Sequence, residues 1–244
     1  MSVQGRMALV SGAAQGIGRA IAVRLAAAGA FVALLDRDGE GVEAAAAELK
    51  GATAWVCDVR DSQEVRATVK GICSACGPIE LLINNAGIWR HTPVLQVDEA
   101  HWDEVFAVNV KGILFCSQAV AGGMVWRGAG KIVNTASVAA FEGQIGQAAY
   151  AASKGGVAGL TLPAARDLSR QGVRVVSVAP GLFETPLLAS IPEPARQALG
   201  ESIPFPSRLG HATEYAALVQ HIVENRYLNG EVVRLDGALR MAPR

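Results

Sequence analysis

The residues of this chain whose types and spacing could do chemistry are Tyr150 and Lys154, with Ser137 thirteen positions before the tyrosine. Positions i and i+4 lie on one face of a helix, so the phenol and the ammonium can project into one pocket and meet the serine hydroxyl there. A tyrosine with a pKa of about 10 is a poor base at neutral pH, but a nearby cation lowers that pKa. The spacing therefore predicts an acid/base site, against the alternative that a Tyr and a Lys share a helix by chance.

A glycine-rich turn follows the apolar run at 7–10 and precedes an alanine-rich amphipathic stretch, and it reads Gly12-Ala13-Ala14-Gln15-Gly16-Ile17-Gly18. A buried strand, such a turn and then a helix form the arrangement in which backbone N–H groups and a helix N-terminus receive a pyrophosphate. Three glycines at this spacing are a weak signal alone, and the setting between strand and helix strengthens it.

An acidic residue closes the second apolar run. The run at 31–35 predicts another buried strand, and Asp36 ends it about twenty residues after the glycines, where a carboxylate can accept from a ribose 2′-hydroxyl. A 2′-phosphate would be repelled there. Arg37 would suit the phosphorylated cofactor, but Gln15 leaves the turn without a basic residue, so the sequence favours NAD over NADP.

Seven pieces of the chain, spread over almost its whole length, resemble motifs of the short-chain dehydrogenase/reductase family in the family's order. They are residues 11–18, Asp58-Val59, Asn84-Asn85-Ala86-Gly87, Asn109-Val110, Ser137, Tyr150-Ala151-Ala152-Ser153-Lys154, and Pro180-Gly181 with Thr185. From residue 137 onward the chain is similar to a member of the family that acts on 3-hydroxyacyl-CoA thioesters, most clearly at 136–144, 204–210 and 228–237.

The resemblance implies a role for each catalytic residue. Tyr150 would exchange the proton of the substrate oxygen, Lys154 would hold that equilibrium near neutrality and bind the nicotinamide ribose, and Ser137 would hydrogen-bond the carbonyl or alkoxide oxygen. Asn109 would hold a water that connects Lys154 to solvent; an ordinary asparagine inside a helix is the alternative.

The resemblance also implies a set of NAD contacts. Asp58 would meet the adenine, and Thr185 would bond the carboxamide. The full set is Gly12, Gln15, Gly16, Ile17, Gly18, Asp36, Asp58, Val59, Asn85, Ala86, Gly87, Tyr150, Lys154, Pro180, Gly181 and Thr185.

The substrate wall is predicted more loosely. Ser137 and Tyr150 would contact the reacting oxygen, and Gln144, Trp89, His91 and Leu182 are further candidates. The Pro-rich segment 182–206 is the one long connection of the chain, and a connection of that length beside the site is a candidate substrate lid.

Apolar runs of strand length alternate with longer stretches typical of helices, and they lie at 7–10, 31–35, 54–57, 81–83, 131–134, 173–178 and 231–235. Runs of this kind predict a parallel sheet buried on both faces. We therefore expect a single α/β domain over 1–244, a doubly wound, Rossmann-like, seven-stranded parallel sheet with helices on both faces. The motifs all fall at the carboxyl ends of strands, so they converge on one crevice.

The composition limits which binding partners and which cellular location are expected. The 244 residues carry balanced charge and no long basic or acidic block, so we expect a small-molecule alcohol or ketone partner, no nucleic acid and no membrane. Neither a leader nor a membrane span is evident, which favours a cytoplasmic location. The histidines and the four cysteines lack ligand spacing, so no metal is expected.

By resemblance, helical stretches at 102–127 and 149–170 would pair between subunits of a homotetramer.

Three functions remain open. The first is an NAD-dependent secondary-alcohol dehydrogenase or ketoreductase, with 3-hydroxyacyl-CoA type substrates in view. The second is a sugar, polyol or aryl-alcohol dehydrogenase, favoured because the stretch between residues 87 and 102 is shorter than in the related thioester enzyme. The third is a non-catalytic NAD-binding redox sensor, which would have no need of Ser137, Tyr150 and Lys154 together.

Overall fold

Nine strands appear in the computed structural model, which describes residues 2–189 and 191–243. They are β1 (Met7–Ser11), β2 (Phe31–Asp36), β3 (Ala52–Val56), β4 (Leu81–Asn84), β5 (Gly130–Thr135), β6 (Val173–Pro180), β7 (Phe183–Glu184), β8 (Gly210–His211) and β9 (Val232–Leu235).

Seven of these strands form one parallel sheet in the order β3-β2-β1-β4-β5-β6-β9. Each coincides with an apolar run that the sequence predicts as a strand, within one to two residues at most ends. Successive strands are added on one side of β1 as far as β3, and from β4 onward they are added on its other side. Ligands of doubly wound sheets bind at the carboxyl ends of the strands beside such a change of order, here between β1 and β4. The predicted fold class is therefore confirmed.

Within the described part of the chain, nine α-helices connect and cover the strands. They are α1 (Gly16–Ala27), α2 (Gly39–Ala47), α3 (Ser62–Cys76), α4 (Glu99–Phe106), α5 (Gly112–Arg127), α6 (Ala148–Ser169), α7 (Pro186–Ala189), α8 (Glu193–Glu201) and α9 (Ala212–Glu224).

Two apolar cores lie on the two faces of the sheet, and β1 divides its side chains between them. Ala8 and Val10 pack with residues of α1, α2 and α9, whereas Met7 and Leu9 pack with residues of α3, α5 and α6. Successive side chains of a strand point to opposite faces, so a strand buried on both faces is apolar throughout. This is the reason that continuous apolar runs, and not alternating ones, mark the strands of this chain.

The longest continuous helical stretch runs from Glu99 to Arg127, through α4, a π-helical turn at Ala107–Lys111 and α5. By length and composition alone, it is the one stretch among the described residues that is apolar enough to cross a membrane. Core helices of globular proteins meet the same criterion, and α5 packs on β4 and β5 through Cys116, Val120 and Met124.

The candidate lid is more structured than the sequence suggests. Its prolines predict one long irregular connection at 182–206, but the structure has α7 and α8 within that segment. Proline is tolerated in the first turn of a helix, because the N–H groups there have no helical partner, and α8 carries Pro194 there with Glu193 before it. Parallel pairing of β7 with β8 brings the two ends of the segment together.

Candidate active site

Ser137, Tyr150 and Lys154 meet at the carboxyl end of β5. Ser137 follows the strand, and its hydroxyl lies beside the Tyr150 phenol, whose pKa it lowers. The Lys154 Nζ lies 5.8 Å from the centre of the Tyr150 ring, one turn along α6. The predicted spacing therefore brings the three groups into one place, where a substrate oxygen could touch both hydroxyls.

The ionisation of the tyrosine differs from the sequence-based expectation. The sequence predicts that the Lys154 ammonium lowers the pKa of Tyr150, but in this structure loss of hydration in the cleft raises the pKa of Tyr150 above its ordinary value, and the Ser137 hydrogen bond only opposes that change. Burial also lowers the pKa of Lys154 to about 8. Because burial disfavours every charged form, it shifts the phenol and the amine toward their neutral states.

The Lys154 side chain is held by a backbone carbonyl group of β5. Its side chain is 3% exposed, and Nζ donates to the Thr135 carbonyl oxygen over 2.8 Å. Gly87 lies beside it, since a Cβ placed on that glycine would stand 3.4 Å from Nζ and 3.3 Å from Asn109 Oδ1. The amine is thus fixed at the bottom of the cleft, next to the turn that follows β4.

Asn109 lies in the π-helical turn and is fully buried. Its Oδ1 accepts from Ile88 N over 2.8 Å, and its Nδ2 donates to Ile88 O and to Ser153 Oγ over 2.9 and 3.0 Å. Single π-helical turns inside α-helices are frequent at functional sites. The side chain ties the helical stretch to the turn after β4 and to α6, one position before Lys154.

The glycine turn allows a close approach of backbones. Gly12 and Gly16 have φ of +66° and +56°, which favours glycine. A Cβ on Gly18 would stand 2.0 Å from Gly12 O, so α1 can start there only with glycine. Gln15, the N-cap of α1, makes no side-chain capping bond, and Gly16 and Ile17 of the first turn line the cleft.

The turn after β4 is tied to the glycine turn. Asn85 Nδ2 donates to Ser11 O and Gly12 O over 3.2 and 3.1 Å, and the Ser11 hydroxyl accepts from the backbone N–H groups of Asn85 and Ala86. These bonds hold the glycine turn and the turn after β4 at a fixed separation.

Two carboxylates lie at the far end of the cleft. Asp36 Oδ2 accepts from Ala14 N over 3.0 Å, so its carboxylate reaches the glycine turn. Asp58 is held by the Arg60 guanidinium, whose Nε and Nη2 lie 2.8 and 2.5 Å from Oδ2. This hydrogen bond is the first cause that lowers the pKa of Asp58.

One cleft of about 590 Å³ joins these groups. Of the residues that the sequence predicts for catalysis, NAD and substrate, the following line it: Gly12, Gln15, Gly16, Ile17, Asp36, Asp58, Val59, Asn85, Ala86, Gly87, Trp89, Ser137, Gln144, Tyr150, Lys154, Pro180, Gly181, Leu182 and Thr185.

Three predicted residues lie outside the lining. Gly18 sits beneath the glycine turn, and Asn109 sits behind Gly87. His91 is exposed and packs on the backbone of Gly146, where a Cβ would stand 2.3 Å from its ring. The structure therefore gives His91 a contact with the 142–147 turn and does not bring it to the cleft.

Several lining residues are absent from the sequence-based set: Thr135, Val138, Ala139, Gln147, Leu188, Ile191, Leu199 and Met241. Thr135 ends β5 just before Ser137, so its position at a strand end was a usable signal. Met241 and Leu199 reach the cleft only through tertiary packing, for which the sequence offers no local signal.

The cysteines have the properties of reduced core residues or surface thiols. Cys57 and Cys116 are buried, and burial raises the pKa of their thiols to about 11 and about 12. A thiol with so high a pKa is a weak nucleophile at neutral pH. Cys73 is exposed and Cys76 is partly buried, both unpaired.

Comparison with known proteins gives consistent results. A profile of the short chain dehydrogenase family matches residues 6–196. The 3-hydroxyacyl-CoA dehydrogenase type-2 of Homo sapiens is 47% identical over 258 aligned residues, covering 99% of this chain and 98% of that protein. That of Drosophila melanogaster is 46% identical over 257, covering 99% and 100%. The 3-oxoacyl-(acyl-carrier-protein) reductase FabG of Thermotoga maritima is 36% identical over 245, covering 98% and 99%. The similarity to a thioester enzyme thus extends beyond the half that starts at residue 137.

Proposed function

Because this chain belongs to the short-chain dehydrogenase family, an oxidoreductase family, we propose that it is an NAD-dependent enzyme that interconverts a secondary alcohol and a ketone, with 3-hydroxyacyl-CoA type compounds as its substrates. The observation that carries the proposal is that Ser137, Tyr150 and Lys154 line one cleft, with Lys154 Nζ held by the Thr135 carbonyl oxygen at its floor.

The residues of the cleft fit a dinucleotide. The uncapped N-terminus of α1 and the glycine turn suit a pyrophosphate, and the Asp36 carboxylate suits two ribose hydroxyls better than a 2′-phosphate. Asp58 remains ionised beside Arg60, where an exocyclic amine of adenine can donate to it. When bound, the nicotinamide supplies or accepts the hydride.

The protein's own part in ketone reduction is to deliver a proton. Ser137 and Tyr150 donate hydrogen bonds to the carbonyl oxygen, which stabilises the negative charge that develops there. As the oxygen gains charge, the O–H bond of Tyr150 breaks and an O–H bond forms on the product alcohol. The raised pKa of Tyr150 keeps the phenol protonated for this step at neutral pH. Oxidation runs the same transfer in reverse.

Lys154 stabilises the phenolate that this transfer leaves. Its amine, with a pKa of about 8, is still largely protonated at neutral pH. Asn109 is bonded to Ser153 and lies next to Gly87 and Lys154, which suits the water relay to solvent proposed for it by resemblance.

The substrate end of the cleft favours an apolar, uncharged group next to the reacting carbonyl. The charged residues among the described lining are Asp36, Arg37, Asp58 and Lys154, of which only Lys154 lies near the reacting centre. Leu182, Leu188, Ile191, Leu199 and Met241 supply apolar wall. An acyl chain gains from such a wall by burial, whereas a polyol needs many hydrogen-bonding partners. The names of the similar proteins agree with an acyl substrate.

An aryl-alcohol dehydrogenase is the second candidate, because Trp89 lines the cleft and leaves 37% of its surface exposed at the mouth. An indole face of this kind can stack on an aromatic substrate.

A substrate panel tests the proposal. We would follow NADH consumption with acetoacetyl-CoA, small free ketones, aryl ketones and keto sugars, and repeat each assay with NADPH. The proposal expects the highest kcat/KM for acetoacetyl-CoA with NADH. A higher value for aryl ketones would favour the second candidate. Absence of turnover with every compound, despite tight NADH binding, would favour a redox sensor and contradict the proposal.

A further inference from the structure

The C-terminal segment, defined as residues 239–243, packs on the turn that leads from Ser137 into α6. Met241 N donates to Glu142 Oε2 over 3.0 Å, and Gln144 Nε2 donates to the Ala242 carbonyl oxygen over 3.0 Å. These contacts join positions that are 99 and 98 residues apart. The segment is thus attached to the substrate side of the cleft by side chains of the turn.

An ion-pair network centred on Arg234 holds the C-terminal segment in place. Arg234 donates from Nη1 to Glu142 Oε1 and from Nε to Asp236 Oδ2, both over 2.7 Å, and from Nη2 to the Leu239 carbonyl oxygen over 3.2 Å. The side chains of Arg234, Glu142 and Asp236 are only 25%, 18% and 9% exposed. Hydrogen bonds between charged groups are stronger than neutral ones, and partial burial protects them from screening.

The ionisation of Glu142 agrees with this arrangement. The hydrogen bond from Arg234 is the first cause that lowers the pKa of the Glu142 carboxyl, and the Met241 N–H adds to it. Glu142 therefore stays a carboxylate, with one oxygen on Arg234 and the other on the backbone of Met241.

The glutamines of the turn are already engaged. Gln147 Nε2 donates to Gln144 Oε1 over 3.2 Å, Gln147 Oε1 accepts from Gln144 N over 3.4 Å, and Gln144 Nε2 is bonded to Ala242. One N–H and one oxygen lone pair of the Gln144 amide are used in these bonds, out of two of each. Gln144, a predicted substrate residue that lines the cleft, thus also attaches the C-terminal segment.

Met241 is the member of the segment that lines the cleft. Its backbone is bonded to Glu142, five residues after Ser137, so it lies at the substrate end and not at the adenine end. A methionine is apolar and flexible, which suits contact with an alkyl chain. Its position, and so the depth of the pocket, depends on the network under it.

We propose that Met241 is a specificity-determining residue that limits the length of the substrate's alkyl chain, and that Arg234 is a positioning residue that holds Met241 in place through Glu142. This inference rests on the proposed function of the cleft. It assigns to the C-terminal segment of the protein the choice of which acyl or alkyl ketones are accepted.

A chain-length series tests Met241. We would measure kcat and KM with NADH for N-acetylcysteamine thioesters of 3-oxo acids from short to long, and for methyl ketones over the same range. Met241→Ala should lower kcat/KM about tenfold for the shortest compounds, through KM, and raise it for the longest, since one or two missing methylene contacts have this size of effect. Met241→Leu should return the preference to short chains, because it restores the volume.

The positioning role has a separate readout. Glu142→Gln removes the charge that Arg234 holds and should shift the chain-length preference in the same direction as Met241→Ala, with NADH affinity unchanged. Glu231→Gln, the same substitution at an exposed position before β9, is the control and should leave the preference as it is.

The outcomes separate the two proposals. A chain-length preference that is identical in wild type and in folded Met241→Ala would overturn the role of Met241 while leaving the dehydrogenase function intact. A shift in Met241→Ala without one in Glu142→Gln would overturn the role of the network. A wild-type protein that reduces no compound of the series would overturn both this inference and the proposed function.

Discussion

Tyr150 and Lys154 share a cleft in which Lys154 is buried and Tyr150 is partly buried. Spacing alone predicts their meeting correctly, because i and i+4 positions of a helix lie on one face whatever the rest of the fold does. The direction of the tyrosine pKa could not be predicted in this way, since it depends on how much water the folded cleft admits.

At the residue scale, the raised pKa of Tyr150 leads to a prediction about pH. Reduction needs the protonated phenol, which persists up to its pKa, so kcat/KM for a ketone should stay level through neutral pH and fall only at alkaline pH. Oxidation needs the deprotonated phenol, so kcat/KM for the alcohol should rise with pH over the same interval. Both profiles are measured by steady-state kinetics. A kcat/KM for ketone reduction that already falls as the pH rises through neutrality would contradict this ionisation, because it would mean that the phenol loses its proton there.

Asp36 gives a second prediction at this scale. Asp36→Asn keeps an oxygen that can accept from Ala14 N but removes the charge that repels a 2′-phosphate. The ratio of kcat/KM for NADH to that for NADPH should fall by about tenfold, which corresponds to about 1.4 kcal/mol. Asp61→Asn, which alters the cap of α3, is the matched control and should keep the ratio. An unchanged ratio in Asp36→Asn would show that the carboxylate does not face the ribose.

At the scale of elements, the strands and the glycine turn could be predicted because their signals are local. A parallel strand buried on both faces is apolar throughout, and a turn that touches another backbone needs glycine. The helices of the lid were missed because proline marks both loops and the first turns of helices. The π-helical turn at Ala107–Lys111 was missed because its five residues carry no signal that separates it from an α-helix.

The glycine turn leads to a prediction at this scale. Gly18→Ala would place a Cβ 2.0 Å from Gly12 O, so the turn and the start of α1 must move apart. We expect NADH affinity to fall by tenfold or more and the protein to lose about 1–3 kcal/mol of stability, as overpacking usually costs. Val23→Ala, on the exposed face of the same helix, should change neither.

Two measurements decide the Gly18 prediction. NADH affinity is measured by fluorescence titration, and the free energy of unfolding is measured by urea denaturation. A Gly18→Ala protein with wild-type values in both would mean that the contact between α1 and the glycine turn is looser than the structure indicates.

At the scale of the whole molecule, the sequence could predict the architecture but not contacts between distant parts of the chain. A parallel sheet covered by helices on both faces follows from alternating strands and helices. The attachment of the C-terminal segment to Glu142, by contrast, joins residues 99 positions apart through side chains that have no local pattern. Met241 was therefore absent from the predicted site.

The surface of α5 and α6 supports the proposed homotetramer. Leu114, Trp126 and Leu162 are 49%, 87% and 44% exposed on these two helices. Exposed apolar side chains of this size can mark surfaces that another chain covers. We expect light scattering after gel filtration to give about four times the 25.3 kDa mass of one chain.

Substitution tests which surface is used. Leu114→Arg with Leu162→Arg should reduce the measured mass, because two buried charges without partners destabilise an interface. Val23→Arg, on α1, should leave it unchanged. A wild-type chain that elutes as a single copy, or that requires lipid to remain in solution, would contradict the tetramer.

The central claim is that the Tyr150 phenol exchanges the proton of the substrate, and Tyr150→Phe tests it most directly, with Tyr227→Phe at a fully exposed position as control. The account predicts a loss of kcat of about 10²- to 10⁴-fold in Tyr150→Phe, with NADH binding almost unchanged and Tyr227→Phe like wild type. A Tyr150→Phe enzyme that turns over ketone at the wild-type rate would contradict it.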